Sequence, residues 1–299
     1  MYHESVLLKE AIDGLKVTNN GVYVDATYGG GGHAKKILES VGSLGKVFAF
    51  DQDEEAFNNQ IKDDRLIMIH QNFKYISNYL NFYSQSKIDG LVADLGVSSY
   101  QINKIDRGFS FMNDAILDMR MDKESNLTAR DVVNGYEQDK LKEIFKQYGE
   151  LSNAKKIANE IVTARSTKKI MSTLQLVNLL KKLSPVRFRN KFFAKVFQAI
   201  RIEVNQELKS LEILLSQSMK LLKKGGRIVV ISYHSLEDRI VKNFFKTGNV
   251  QGVEQKDFFG NKQIVFKIIT KKPMQPLEKE IKINPRARSA KMRVAELII

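Results

Sequence analysis

The spacing of short apolar runs constrains this chain more than any other feature. GVYVDAT (21–27), KVFAFD (46–51), RLIMIH (65–70) and IDGLVADLG (88–96) follow one another at about a helix length, and GRIVVIS (226–232) resumes the pattern much later. Runs of this size read as strands and the stretches between them as helices, so the first four build consecutive βαβ units and a parallel sheet covered on both faces. From about Asp106 to Gln206 the pattern is helical or irregular, as in QDKLKEIFKQYG, AKKIANEIVTARS and LQLVNLLKKL. The expected organisation is an α/β doubly wound domain, 1–105 with 207–299, interrupted by an inserted, mostly α-helical domain, 106–206. Gly225-Gly226 is expected to stop the amphipathic helix before GRIVVIS. QIVFKIIT (263–270) and MRVAELII (292–299), joined by a polar loop without helical pattern, are expected to close the sheet as an antiparallel hairpin.

The first strand runs straight into DATYGGGGHA, with four consecutive glycines at 29–32. In doubly wound sheets the first βα loop brings backbone close to a ligand at the strand ends. Gly29-x-Gly31-x-x-Ala34 formally fits a dinucleotide fingerprint, which taken alone is weak evidence, and glycines also serve in plain turns. Asp25, at the strand end, sits badly beside a pyrophosphate and suits a cationic ligand; S-adenosylmethionine carries a sulfonium and an ammonium. Asp51, ending the second strand, can accept from ribose hydroxyls in either ligand, or cap the helix that follows. Phe73 can flank an adenine or join the core, and Asp94, ending the fourth strand, can hold an acceptor nitrogen or cap a loop. A nicotinamide fold would end on a helix-fed parallel strand, whereas a terminal antiparallel pair resembles the sheet of S-adenosylmethionine-dependent methyltransferases.

The formal charge is +14, with 48 Lys and Arg against 34 Asp and Glu. Thirteen of the bases, against three acids, lie between Leu151 and Ser210. A cluster of this kind suits a polyanionic partner such as nucleic acid, and the alternative is a solvated lysine-rich surface. Few aromatics accompany it beyond Phe188, Phe192, Phe193 and Phe197, which favours backbone and shape recognition over base stacking. Cysteine is absent, which excludes disulfides and thiolate metal sites, and the four His show no ligand-pair spacing, so no metal is expected. No run is long and apolar enough to span a membrane, and the basic, apolar signature of a signal peptide is missing, so a cytoplasmic location is expected.

HESVLLKE, DATYGGGGH, DLGVSSYQ, RGFSF, LDMRMD, FQAIRIEVNQEL, ISYHSLEDR and NPRARSAKMR, in this order from His3 to Arg293, resemble the bacterial 16S ribosomal RNA (cytosine-N4)-methyltransferase family. The resemblance implies a Rossmann-like class I methyltransferase sheet with an inserted helical RNA-substrate domain, acting on one cytidine of the small-subunit decoding region. It places S-adenosylmethionine contacts on Gly31, Gly32, His33, Asp51, Phe73, Asp94 and Gln101. Tyr100 stands where the family usually has Pro, and YGELSN and the segment before FQAIRI depart from the usual strings within the insert. Asp94 is the expected catalytic group, accepting the N4 hydrogens of a flipped cytosine, with His234 as a base-stacking or hydrogen-bonding partner. Asp118, Arg120 and Asp122 read as a salt-bridged turn fixing the insert to the catalytic domain. Arg107, Arg187, Arg189, Lys191, Arg286 and Arg288 are the expected RNA contacts. The remaining alternatives are an NAD-linked oxidoreductase, which Asp25 and the terminal hairpin disfavour, and a nonenzymatic rRNA-binding assembly factor with a vestigial pocket.

Overall fold

The computed structural model describes residues 5–58, 60–98 and 104–299. The chain divides into two compact units, Met1–Gly96 with Leu208–Ile299, and Val97–Glu207.

The first unit is built on one sheet. Strands β1 (Val22–Asp25), β2 (Lys46–Asp51), β3 (Leu66–His70), β4 (Ile88–Asp94), β5 (Leu222–Ser232), β6 (Phe266–Ile268) and β7 (Lys291–Leu297) take the order β3-β2-β1-β4-β5-β7-β6. The first five are parallel, and β7 runs antiparallel to both β5 and β6. The order reverses between β1 and β4, so the loops after these strands diverge and leave a crevice at their carboxyl ends.

Strand alternation explains how the sheet is covered. Val24, Phe48, Phe50, Leu91, Ala93, Ile228 and Val230 face a core that includes Leu80 of α4 (Ile76–Phe82), Leu211 and Leu214 of α10 (Glu207–Leu221), and Phe244 of α11 (Ser235–Thr247). Their neighbours Tyr23, Val47, Ala49, Val92, Val229 and Ile231 face Ala11 and Leu15 of α1 (Leu8–Leu15) and Ala34 and Ile37 of α2 (Gly32–Leu38). With both faces buried, the strands need apolar residues at every position, which is why the runs read as continuous.

Two local expectations fail here. Helix α10 ends at Leu221, and Gly225-Gly226 lies inside β5, where the pairing with β4 shifts register between Ile88 and Gly90. Gly225 has φ +81°, and a Cβ on Gly226 would stand 3.0 Å from the Asp89 carbonyl oxygen, so the glycines serve this irregularity rather than a helix stop. The link between β6 and β7 is not all loop: it contains α12 (Glu278–Ile283) and a 3₁₀ turn at Pro285–Ser289.

The second unit is helical: α5 (Ala129–Gly135), α6 (Gln138–Gln147), α7 (Ala154–Thr167), α8 (Thr173–Leu180) and α9 (Arg189–Asn205) surround a core that includes Val132, Phe145, Ile157, Leu176, Phe192, Phe193 and Phe197. Three of the phenylalanines read alongside the basic cluster are therefore core residues, while Phe188 is 55% exposed. Thr128 and Ser172 cap α5 and α8 in reciprocal capping boxes with Asp131 and Gln175. Asp118 and Arg120 form a salt-bridged turn, with Nε to Oδ1 and Nη2 to Oδ2 both 2.8 Å, but the other guanidinium bonds of Arg120, to the Lys123 and Ser125 carbonyls, stay within this unit, and Asp122 accepts from the Glu124 amide.

Candidate active site at the strand ends

The carboxyl ends of β1, β2 and β4 each deliver an aspartate, and β5 delivers Tyr233 one residue past its end. Asp25 is 1% exposed; its Oδ1 accepts from the Thr27 amide at 3.1 Å, and its Oδ2 has no hydrogen-bond partner. Burial pushes its pKa up to about 7, nearby Asp51 adds to the rise, and the Thr27 and Ala34 amides oppose it. Asp51 accepts from the Gly29 amide at 2.8 Å and the Asp53 amide at 2.9 Å, and burial raises it to about 6. It ties the glycine loop to β2; the capping role at α3 (Glu54–Asn58) falls to Asp53, whose Oδ1 accepts from the Glu55 amide at 3.2 Å.

Asp94 is held from two sides. Its amide donates to Thr27 Oγ1 at 2.6 Å, and its Oδ1 accepts from the Tyr233 hydroxyl at 2.8 Å. Burial raises its pKa to about 7 despite the Tyr233 hydrogen bond, with Asp25, Glu237 and Glu280 adding repulsion. Tyr233 is in turn raised well above its ordinary value by its own burial and by Asp94, so it stays a hydrogen-bond donor. Nothing within ISYHSLEDR marks Tyr233, because a tyrosine beside a strand is an ordinary strand residue.

The glycine loop answers to the protein before any ligand. Gly31 has φ +76°, and a Cβ there would stand 2.6 Å from the Tyr28 hydroxyl; one on Gly32 would collide with Ser5 Oγ. Tyr28 is itself fixed, its amide donating to the Phe50 carbonyl and its hydroxyl accepting from the Ile61 amide. Gly31 and Gly32 can thus offer only backbone to a ligand. His33, in the first turn of α2, is 3% exposed, and burial lowers its pKa to about 4, so it is neutral. Its ring bonds to the Val6 backbone and its Nε2 lacks a partner. Phe73 opens the 3₁₀ turn after β3, half-buried against the sheet core. Gln101 lies outside the described residues.

Two expectations are corrected. His234 is the N-cap of α11: its Nδ1 accepts from the Glu237 amide at 3.3 Å, while Glu237 accepts from the Tyr233 and His234 amides. Its Nε2 lies 3.2 Å from Glu237 Oε1 without hydrogen-bond geometry, and its side chain is only 8% exposed. A ring so placed closes a capping box and is largely withdrawn from solvent, which is a structural role. Arg107 is 5% exposed and donates to the carbonyls of Arg120 and Met121 at 2.8 and 3.1 Å, so it braces the turn in which Met119 takes φ +59° and offers no free fork to phosphate. Arg187, Lys191, Arg286 and Arg288 are exposed, Arg187 lying over the Phe188 ring at 5.4 Å. Arg189 is half-buried, with Nε 3.3 Å from Ser184 Oγ.

A group of three carboxylates, Asp25 buried and Asp51 and Asp94 half-buried, all pushed toward neutrality and one with an orphan oxygen, suits a compact cation. No helix among the described residues is long and apolar enough to cross a membrane. A family model described as the MraW methylase family matches residues 1–298. The ribosomal RNA small subunit methyltransferase H of Flavobacterium johnsoniae is 51% identical over 297 residues, covering 99% of this chain and 98% of that one. The protein of the same name from Phocaeicola vulgatus is 48% identical over 296 residues, covering 99% and 97%.

Proposed function

This chain belongs to the MraW methylase family, and from that premise we infer that it is an S-adenosylmethionine-dependent methyltransferase acting on the exocyclic N4 of a cytidine in the decoding region of 16S rRNA. The observation that carries the reading is the orphan Oδ2 of buried Asp25 beside Asp51 and Asp94, a cradle for positive charge at the switch point of the sheet.

S-adenosylmethionine, when bound, supplies an electrophilic methyl on a sulfonium. Asp25 offers its free oxygen to the cation, Asp51 accepts from the ribose hydroxyls, Phe73 flanks the adenine, and Gly31, Gly32 and the neutral His33 line the loop. Gln101 completes the set. Asp94 orients the acceptor: Tyr233 occupies Oδ1, and Oδ2 accepts a hydrogen from N4 of a base turned out of its stack. This draws the nitrogen lone pair out of conjugation and holds it in line, and alignment of that kind is worth about 7–11 kcal/mol of barrier in well-ordered systems. After transfer the nitrogen is strongly acidic, so a carboxylate of pKa about 7 suffices to pass its proton to water. Arg187, Arg189, Lys191, Arg286 and Arg288 contact the rRNA backbone, and the small ribosomal subunit in the cytoplasm is the working substrate.

Calorimetry with S-adenosylmethionine, together with mapping of methylated cytidines in rRNA from cells with and without the protein, tests the reading. Binding and the loss of one N4-methylated site support it; an unchanged methylation map rejects it.

A further inference from the structure

Between α11 and β6 the chain builds a small hairpin that the methyl-transfer edge does not use. Lys256 pairs with Lys262 across it, and the Gln263 amide donates to the Gln255 carbonyl at 2.9 Å. Asp257 locks the tip: Oδ1 accepts from the Phe259 and Asn261 amides at 2.9 Å each, and Oδ2 accepts from Asn261 Nδ2 at 3.1 Å. Gly260, at φ +83°, completes the turn. This framework holds Phe258 and Phe259 in water, 98% and 85% exposed, edge to face with ring centroids 5.7 Å apart. A turn so fully hydrogen-bonded that presents two adjacent phenylalanines to solvent marks a contact surface.

The surrounding charge identifies the partner. Residues 246–272 hold six lysines and two acids. Both acids are engaged internally: Glu254 is pinned between Lys246 at 3.1 Å and Lys262 at 2.9 Å, and Asp257 serves the turn. Lys256, Lys267, Lys271 and Lys272 are exposed. Upright rings amid unopposed lysines match unpaired nucleotides, whose bases stack and whose phosphates need cations. Two rings supply far less than the roughly 800 Å² per partner of a stable protein interface.

We propose that the Phe258–Phe259 tip is a second RNA contact, stacking on unpaired nucleotides of the substrate away from the methylated base. Strand β6 is parallel to β5 through their shared neighbour β7, and the tip leads into its N-terminal end, so it lies at the edge of the sheet opposite Asp25 and Asp94. The six paired residues of β5 separate the two edges by about 20 Å at the usual rise per residue. The tip is therefore a distal anchor, and its loss raises KM for rRNA with kcat unchanged.

The proposal rests on the rRNA reading above, and the test separates the two. Anisotropy of a labelled, unstructured oligoribonucleotide is compared for the full chain and for the Phe258→Ala, Phe259→Ala double variant, with thermal melting confirming an unchanged fold. The expected result is about tenfold weaker binding, within the range for losing one or two base–aromatic stacks. A double Trp variant restores affinity and a double Leu variant does not; methyl transfer to small subunits shows the KM rise alone. Equal affinity of the Ala variant overturns the proposal. So does full binding by the Leu variant, which makes the contact merely apolar. Loss in the Ala variant of a dimer seen by sedimentation, or of binding to anionic vesicles, assigns the tip to another partner and overturns it too. Ring-dependent RNA binding by a chain that methylates no rRNA defeats the functional reading and leaves the tip standing.

Discussion

The two units carry charge in opposite ways. At the strand ends three aspartates are buried or half-buried, pushed to pKa values of about 6 to 7, and fixed by hydrogen bonds from Thr27, Gly29, Asp53 and Tyr233. In the helical unit the surplus is basic and mostly exposed, as at Lys155, Lys168, Lys181, Arg187 and Lys191. Burial makes each charge strongly dependent on its neighbours, and exposure makes each nearly independent of them. One residue at the sheet edge should therefore matter greatly, while the basic face should weaken by degrees.

Asp94→Asn bears on that contrast hardest. Turnover at saturating cofactor and RNA is expected to fall by about 10²–10³, with cofactor binding within a few-fold of the original; normal turnover removes Asp94 from the chemistry. Asp25→Asn comes next, with cofactor affinity at pH 8 expected to drop by roughly 10–100-fold, the scale of a hydrogen bond to charge. The sign with pH is fixed. A carboxyl whose folded pKa is raised from 3.8 to about 7 leaves the cofactor-free fold with its full stability below pH 4 and takes some away as pH rises to 7. Cofactor-free Asp25→Asn should thus melt higher than the parent at pH 8 and level with it near pH 4. The parent's cofactor affinity should tighten between pH 5 and 8, and calorimetry in buffers of different ionisation enthalpy should show protons released on binding.

Smaller effects refine the picture. Tyr233→Phe removes a bond that holds the Asp94 pKa down, so the acid limb of the rate profile should move to higher pH and turnover should fall about 3–10-fold. His234→Ala should cost about 1 kcal/mol of stability through the lost cap, with turnover little altered; a large turnover loss in a stably folded variant would return His234 to the reaction. Paired replacement of Arg187 and Lys191 by Ala should weaken rRNA binding only a few-fold and lower the salt slope by about two. A drop as large as that at Asp94 would mean that the basic face also has a unique contact, and the contrast would break.

Which parts of this were legible in the sequence follows from how local their causes are. The parallel strands announce themselves because burial on both faces demands unbroken apolar runs, and the strand-end aspartates follow from the strands. Helix α12 is six residues long, too short for any periodicity. Gly225-Gly226 carries the same string whether it ends a helix or bends a strand, and only the pairing with β4 decides. His234 suggests ring chemistry because histidine is an uncommon N-cap; its role depends on Glu237 three residues on. Arg107 looks like a surface fork until the turn around Met119 brings the 120 and 121 carbonyls under it. Tyr233 and Asp94 are 139 residues apart, and no local pattern joins them.

Position 31 is closed twice over. A neighbouring phenol fills the space a methyl would need, and the backbone turns in the hand that L-residues resist. Trimming Tyr28 relieves the first obstacle and leaves the second, while also releasing the Ile61 amide from its acceptor. No single second-site change can therefore rescue alanine there, and a suppressor screen begun from Gly31→Ala should recover reversion alone.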